Sequence, residues 1–153
     1  MNATPDRKRV LFVGPPNAGK STLFNRLTGA AAHVGNYPGI TVEQYAADLP
    51  LPSGTAAAVD LPGTFSLAAR SPEERIAIDH VVGRLGPRPD LVVAVVDTPR
   101  LGRSLYLVLQ LLELDVPVVV ALNLMDEARR RERAPDPAAL QEALGVPCLP
   151  VVA

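Results

Sequence analysis

Short, near-continuous apolar runs recur along the chain at residues 10–13, 91–96 and 116–122, with helical patterning between them. Runs that are apolar on both faces belong to parallel strands covered by helices on each side, so the pattern predicts an α/β domain. Weaker runs at 42–49 and 55–61, joined by a turn-prone stretch at 50–54, predict one hairpin within a mostly parallel sheet. A helix over 20–27 stops at Thr28-Gly29. Ser71-Pro72-Glu73-Glu74 forms a capping box, and the helix it opens carries Ile76, Ile78, Val81, Val82 and Leu85 before Gly86. Asp136-Pro137 opens another helix that ends at Leu144-Gly145. Residues 146–152 read as a last strand in spite of Pro147 and Pro150.

The predicted fold is therefore a doubly wound, mostly parallel, six-stranded sheet with one antiparallel hairpin strand. Such a sheet normally carries one more covering helix after its last strand. Its absence leaves one face partly bare, and a bare apolar face suggests a longer polypeptide or a partner that supplies the cover.

Composition narrows this picture only a little. The 153 residues, 48% hydrophobic and 20% charged, fit one soluble domain with a proper core. With 15 basic against 16 acidic side chains and no Trp, the chain lacks the electrostatic footprint and the stacking platforms of a nucleic-acid binder. The single Cys148 excludes an internal disulfide and reads as a small buried hydrophobe in a reducing compartment. Residues 1–8 read as a flexible lead without the apolar core of a signal peptide. The mostly apolar stretch 105–125 is interrupted by Gln110, Glu113, Asp115 and Pro117, which predicts helix, turn and strand instead of a membrane span. His33 and His80 have no metal-ligating companions at a useful spacing, and Arg129 to Arg133 reads as a solvated helix face.

The chemistry sits between the first strand and the first helix, where the chain reads "GPPNAGKSTLF". Gly14-x-x-x-x-Gly19-Lys20-Ser21 is the phosphate-binding loop pattern. Its glycines allow a tight turn, so that the amides of Asn17, Ala18, Gly19, Lys20, Ser21 and Thr22 surround a phosphate at a helix N-terminus. Lys20 would reach the β- and γ-phosphates, and the Ser21 hydroxyl would coordinate Mg²⁺. Asn123-Leu124-Met125-Asp126 follows a buried strand at the same carboxyl edge of the sheet. There the Asp126 carboxylate could accept from both guanine N1–H and the exocyclic amine, while adenine would leave it unpaired. Asn123 would brace the loop and the base edge. Asp60-Leu61-Pro62-Gly63 places Asp60 to hold Mg²⁺ through a water and the Gly63 amide to sense a γ-phosphate. Thr41, in the loop between Gly29 and Val42, is the natural second protein ligand for Mg²⁺.

Together these motifs resemble a translation-factor-class, Ras-like GTPase. More narrowly, "VGNYPGITVE", "DLPGTFSL" followed by "RSPEERIA", and "RSLYLVLQLLELDVPVVVALNLMDEA" are similar to the cytosolic G domain of the ferrous iron transport protein B family. The resemblance spans residues 9–153. It implies GTP or GDP with Mg²⁺ as ligands, with Gly39 and the 150–153 loop added to the nucleotide contacts. In that last loop Ala153 keeps the backbone contact, and Val152 departs from the more usual Ser. It also implies a bacterial inner-membrane iron transporter with this domain on the cytoplasmic side, followed by helical and membrane regions, and it leaves a homo-oligomer open.

After Asp60-x-x-Gly63 many GTPases carry a glutamine that orients the attacking water. Here the residue is Thr64, so catalysis should rest on charge placement by Lys20, Asn17, Thr41 and Gly63, and turnover should be slow. The resemblance further implies that Asn17 helps hold K⁺ beside the phosphates. Two other functions fit the same motifs: a stand-alone GTPase of RNA or ribosome assembly, and a GDP-binding remnant without turnover.

Overall fold

A computed structural model describes residues 7–29, 33–37, 39–40 and 42–153. Its sheet has seven strands in the order β2-β3-β4-β1-β5-β6-β7. They are β1 (Arg9–Val13), β2 (His33–Asn36), β3 (Glu43–Leu51), β4 (Gly54–Asp60), β5 (Leu91–Asp97), β6 (Val118–Asn123) and β7 (Cys148–Pro150). Five helices accompany them: α1 (Lys20–Thr28), α2 (Pro72–Val81), α3 (Leu101–Glu113), α4 (Met125–Arg130) and α5 (Pro137–Leu144).

β1 pairs in parallel with both β4 and β5, and β5–β6–β7 continue in the same sense. β3 is antiparallel to both β2 and β4, and among the described residues it is the one strand that runs against the rest of the sheet. The α/β class and the single antiparallel hairpin are thus as the apolar pattern predicts. The strand count is seven, because four residues of the predicted loop between Gly29 and Val42 pair with β3 as an edge strand.

Alternation along β1 divides the core. Val10 and Phe12 face α1, where Phe12 and Phe24 meet edge to face at 5.3 Å between ring centroids. Such a pair adds about 1 kcal/mol to the burial of the two rings themselves. Leu11 and Val13 face the opposite layer, with Ala77 and Val81 of α2 and Leu107, Val108 and Leu111 of α3. On the α1 side, Leu91 and Val93 of β5 are only half-buried.

Three boundaries shift from the sequence prediction. α2 stops at Val81, and the left-handed Gly83 turns the chain before Leu85 can join the helix. β6 begins after Pro117, and β7 shrinks to three residues between Pro147 and Val151. The apolar stretch 105–125 does resolve into helix, turn and strand, with Asp115 at a φ of 55°. Among the described residues no helix is long and apolar enough to cross a membrane.

Cys148 is buried in β7. Asp126–Arg130 forms an exposed ion pair on α4 and Glu127–Arg131 a partly exposed one at its end; α4 stops at Arg130, so residues 131–133 lie beyond the helix face that the sequence predicts. Of the predicted lead, residues 1–6 lie outside the described part, and the Lys8 carbonyl accepts from Ala57 N at 2.8 Å.

Candidate nucleotide site

The phosphate loop begins where β1 ends. Gly14 crosses β5 so closely that a Cβ there would lie 2.4 Å from the Val95 carbonyl oxygen, which excludes any side chain. Asn17 and Gly19 both adopt left-handed backbone, with φ of 68° and 79°. Gly19 also packs against Asn123, whose Nδ2 would stand 2.2 Å from a Cβ at position 19. Because Gly19 supplies no side-chain cap, the first-turn amides of α1 keep no side-chain partner. That leaves them for an anion, whose charge the helix dipole also favours.

Next to these amides, one buried carboxylate gathers the other polar groups. Asp60, at the end of β4, accepts from the Lys20 ammonium through Oδ1 and from the Ser21 hydroxyl through Oδ2 at 2.8 Å. Lys20 donates in addition to the Leu61 carbonyl at 2.6 Å. With Lys20 at 7% and Asp60 at 4% exposure, this is a buried ion pair, stable only because its polar atoms are hydrogen-bonded. It borders a cavity of about 350 Å³ lined by Asn17, Gly19, Lys20, Ser21, Thr22 and Gly63.

Gly63 abuts the phosphate loop, and a Cβ on it would come within 3.1 Å of Pro16 Cα and N. The loop is pinned there by the Thr64 amide, which donates to the Gly14 carbonyl at 3.0 Å. The Thr64 hydroxyl turns to the Ser66 carbonyl at 2.7 Å, so it does not stand in for a water-orienting glutamine.

Asn123 ties the third part of the site to the first. Its Nδ2 donates to the Ala18 carbonyl at 2.8 Å, and its Oδ1 accepts from the Ala153 amide at 3.1 Å. Leu124, at a φ of 59°, turns the chain from β6 into α4, and Met125 is buried beneath it. Val151 N donates to the Leu122 carbonyl at 2.9 Å, and the Val151 carbonyl accepts from Met125 N at 3.4 Å. The loops that carry Lys20, Asp126 and Ala153 therefore form one hydrogen-bonded edge. Asp126 is half-exposed there, and Val152 points into solvent.

The residues present fit the ligands that the motifs imply. Amides, an ammonium and a cavity suit a phosphate chain, and a hydroxyl beside a carboxylate suits a hard cation such as Mg²⁺. Thr41 lies outside the described residues; Gly39 is described, exposed and left-handed with a φ of 78°.

Sequence reasoning missed a buried polar chain behind the site. Tyr37, which follows β2, and His80 of α2 contact each other through Oη and Nε2 at 2.9 Å, with their rings edge to face. His80 Nδ1 lies 2.6 Å from the Arg9 guanidinium. Burial, then the Arg9 charge, pushes the His80 pKa down to about 4, and burial pushes Tyr37 up to about 12. No local motif announces this chain, because its members come from three separate elements.

A pH prediction follows from His80. Its folded pKa lies below that of the unfolded chain, about 6.5, so the unfolded state takes up the proton first. Its contribution is complete above about pH 6.5 and is lost as pH falls toward 4, with a slope of up to about 1.4 kcal/mol per pH unit. Urea unfolding from pH 7 to 4.5 should show that slope in the wild type, and His80→Gln should lack it.

The whole arrangement has close relatives. The family model for ferrous iron transport protein B matches residues 8–153. An Fe(2+) transporter FeoB from Synechocystis is 42% identical over 154 residues, spanning 100% of this chain and 25% of the relative. The crystal structure of the G domain of the T. maritima FeoB iron transporter superposes with a TM-score of 0.85 at 38% identity, over 95% of this chain and 87% of that one. The cytosolic domain of the same transporter in its GMPPNP form gives 0.87 at 39% identity, over 95% of this chain and 56% of that one. The chain spans 17% to 25% of the length of the first curated relatives it matches.

Proposed function

Because the chain belongs to the ferrous iron transport protein B family, we propose that it binds and hydrolyses GTP and that this activity regulates Fe²⁺ passage through a transporter. The observation that carries the proposal is the convergence of Lys20 and Ser21, which line the phosphate-loop cavity, on Asp60, with Asn123 tied to the same loop through Ala18. In this reading the chain works at the cytoplasmic face of the bacterial inner membrane, next to helical and membrane regions of the same transporter. The Fe(2+) transporters among its relatives, together with structural neighbours in GDP and GMPPNP forms, support it.

Ser21, Asp60 and Thr41 would hold Mg²⁺, which would supply positive charge to neutralise the phosphates. Lys20 would exchange its bonds to Asp60 and Leu61 for the β- and γ-phosphates. The Gly63 amide, already against Pro16, would donate to the γ-phosphate. With no side chain at position 64 to orient water, the rate rests on these fixed charges and is slow. Asn17, on the same loop and lining the same cavity, would help hold K⁺ where an arginine finger otherwise acts.

Phosphate release with GTP and with ATP, in KCl and in NaCl, tests the proposal. We expect turnover of GTP only, faster in KCl, and no response to K⁺ in Asn17→Ala. Turnover of both nucleotides would remove the guanine assignment. Equal rates in the two salts would remove the K⁺ role and leave the rest standing.

A further inference from the structure

The chain of contacts from Tyr37 through His80 to Arg9 has a polarity that can be worked out. A guanidinium has no acceptor, so His80 Nδ1 must be the unprotonated nitrogen that accepts from Arg9. The neutral ring then carries its proton on Nε2, which donates to Tyr37 Oη. Protonating His80 would set two donors against each other. The low pKa of the ring agrees with this assignment.

The far end of the chain is anchored. Arg9 donates to the carbonyls of Leu85 and Pro87, and its amide donates to Asp90 Oδ2 at 2.8 Å. Gly86 leaves the room, since a Cβ there would meet the guanidinium at 2.6 Å. The near end sets a loop. Tyr37 N donates to the Val42 carbonyl at 3.0 Å, and the Tyr37 carbonyl accepts from Ile40 N at 3.3 Å. Both side chains are buried, Tyr37 at 6% and His80 at 3% exposure. A buried hydrogen-bonded pair therefore fastens Tyr37, whose hydroxyl lies within reach of the Asp60 charge, onto the helix that follows the Asp60–Gly63 segment.

We propose that His80 is a positioning residue for GTP hydrolysis, acting by donating to Tyr37 and so fixing the stem of the 37–42 loop. This rests on the GTPase reading above. Loops of this kind are ordered by the third phosphate, so the fastening assists the GTP state and leaves GDP binding alone. The side chain at position 80 has to accept from Arg9 and donate to Tyr37 at once. Glutamine can do both through its carboxamide; leucine can do neither.

Single-turnover GTP hydrolysis and GDP titration on wild type, His80→Leu, His80→Gln and Tyr37→Phe test the inference. His80→Leu and Tyr37→Phe should each lower the rate about tenfold, the worth of one buried hydrogen bond, with GDP affinity within about twofold of wild type. His80→Gln should stay within about threefold of the wild-type rate. If Tyr37→Phe turns over at the wild-type rate, or if His80→Gln falls as far as His80→Leu, the inference is wrong while the GTPase reading stands. If wild type binds no guanine nucleotide, the functional reading fails first and takes this one with it. Should His80→Leu not fold, Tyr37→Phe and His80→Gln still decide the question.

Discussion

Lys20→Ala should lower the affinity for both GDP and GTP by about a thousandfold and remove measurable turnover. The size follows from where the ammonium sits. It is almost fully buried, holds two oxygens, and belongs to the loop whose amides line the cavity. Removing a charge from such a low-dielectric site forfeits several kcal/mol of attraction to a phosphate chain. Truncation also harms the protein without nucleotide, because Asp60 keeps only its Ser21 partner. Breaking one side of a buried pair costs about 3–5 kcal/mol. Urea unfolding should therefore show a large loss of stability beside the loss of binding. Lys20→Arg should not restore affinity, since a planar fork cannot replace a compact ammonium between Asp60 and Leu61. Calorimetry that finds Lys20→Ala binding GDP within tenfold of wild type would remove the phosphate-loop assignment.

The parts of this site that were legible in sequence are those written in adjacent residues. Gly14, Gly19, Lys20 and Ser21 are fixed by the local geometry of one turn, and a close approach to Val95 and Asn123 explains why the two glycines are needed. Asn123 shows the limit of such reading. Its bracing role follows from its place at the end of β6, yet the partner it reaches, the Ala18 carbonyl, is 105 residues away. β2 escaped notice for a different reason. Its four residues lie at the sheet's edge, Val34 is exposed, and no alternation of apolar and polar positions marks them. α2 was read too long because Val82 and Leu85 continue the helical period, while Gly83 at positive φ ends it. The spacing of His80 shows no metal-ligating companion and nothing more. His80 is packed, and what gives it a role is Tyr37 and Arg9, 43 and 71 residues distant.

Asp126→Asn should exchange the preferred base while leaving the fold almost untouched. In the proposed contact, both carboxylate oxygens accept, one from guanine N1–H and one from the exocyclic amine. A carboxamide keeps one acceptor and turns the other position into a donor. That donor faces the guanine amine, donor against donor, but it suits the carbonyl that xanthine carries at the same place. Sites built on such paired hydrogen bonds discriminate by about 10⁴ or more, so GTP affinity should fall by roughly that factor and xanthosine triphosphate should become the better ligand. Stability should change little. Asp126 is 48% exposed, and its one ion pair, with Arg130 at 3.7 Å, is of the surface kind worth about 0–1 kcal/mol. The buried neighbours that shape the loop, Asn123 and Met125, are left intact. Competition between GDP and xanthosine diphosphate for a fluorescent nucleotide reads the exchange directly. If Asp126→Asn keeps its preference for guanine, then Asp126 does not meet the base, and another group on the 122–126 or 150–153 loops must choose the purine.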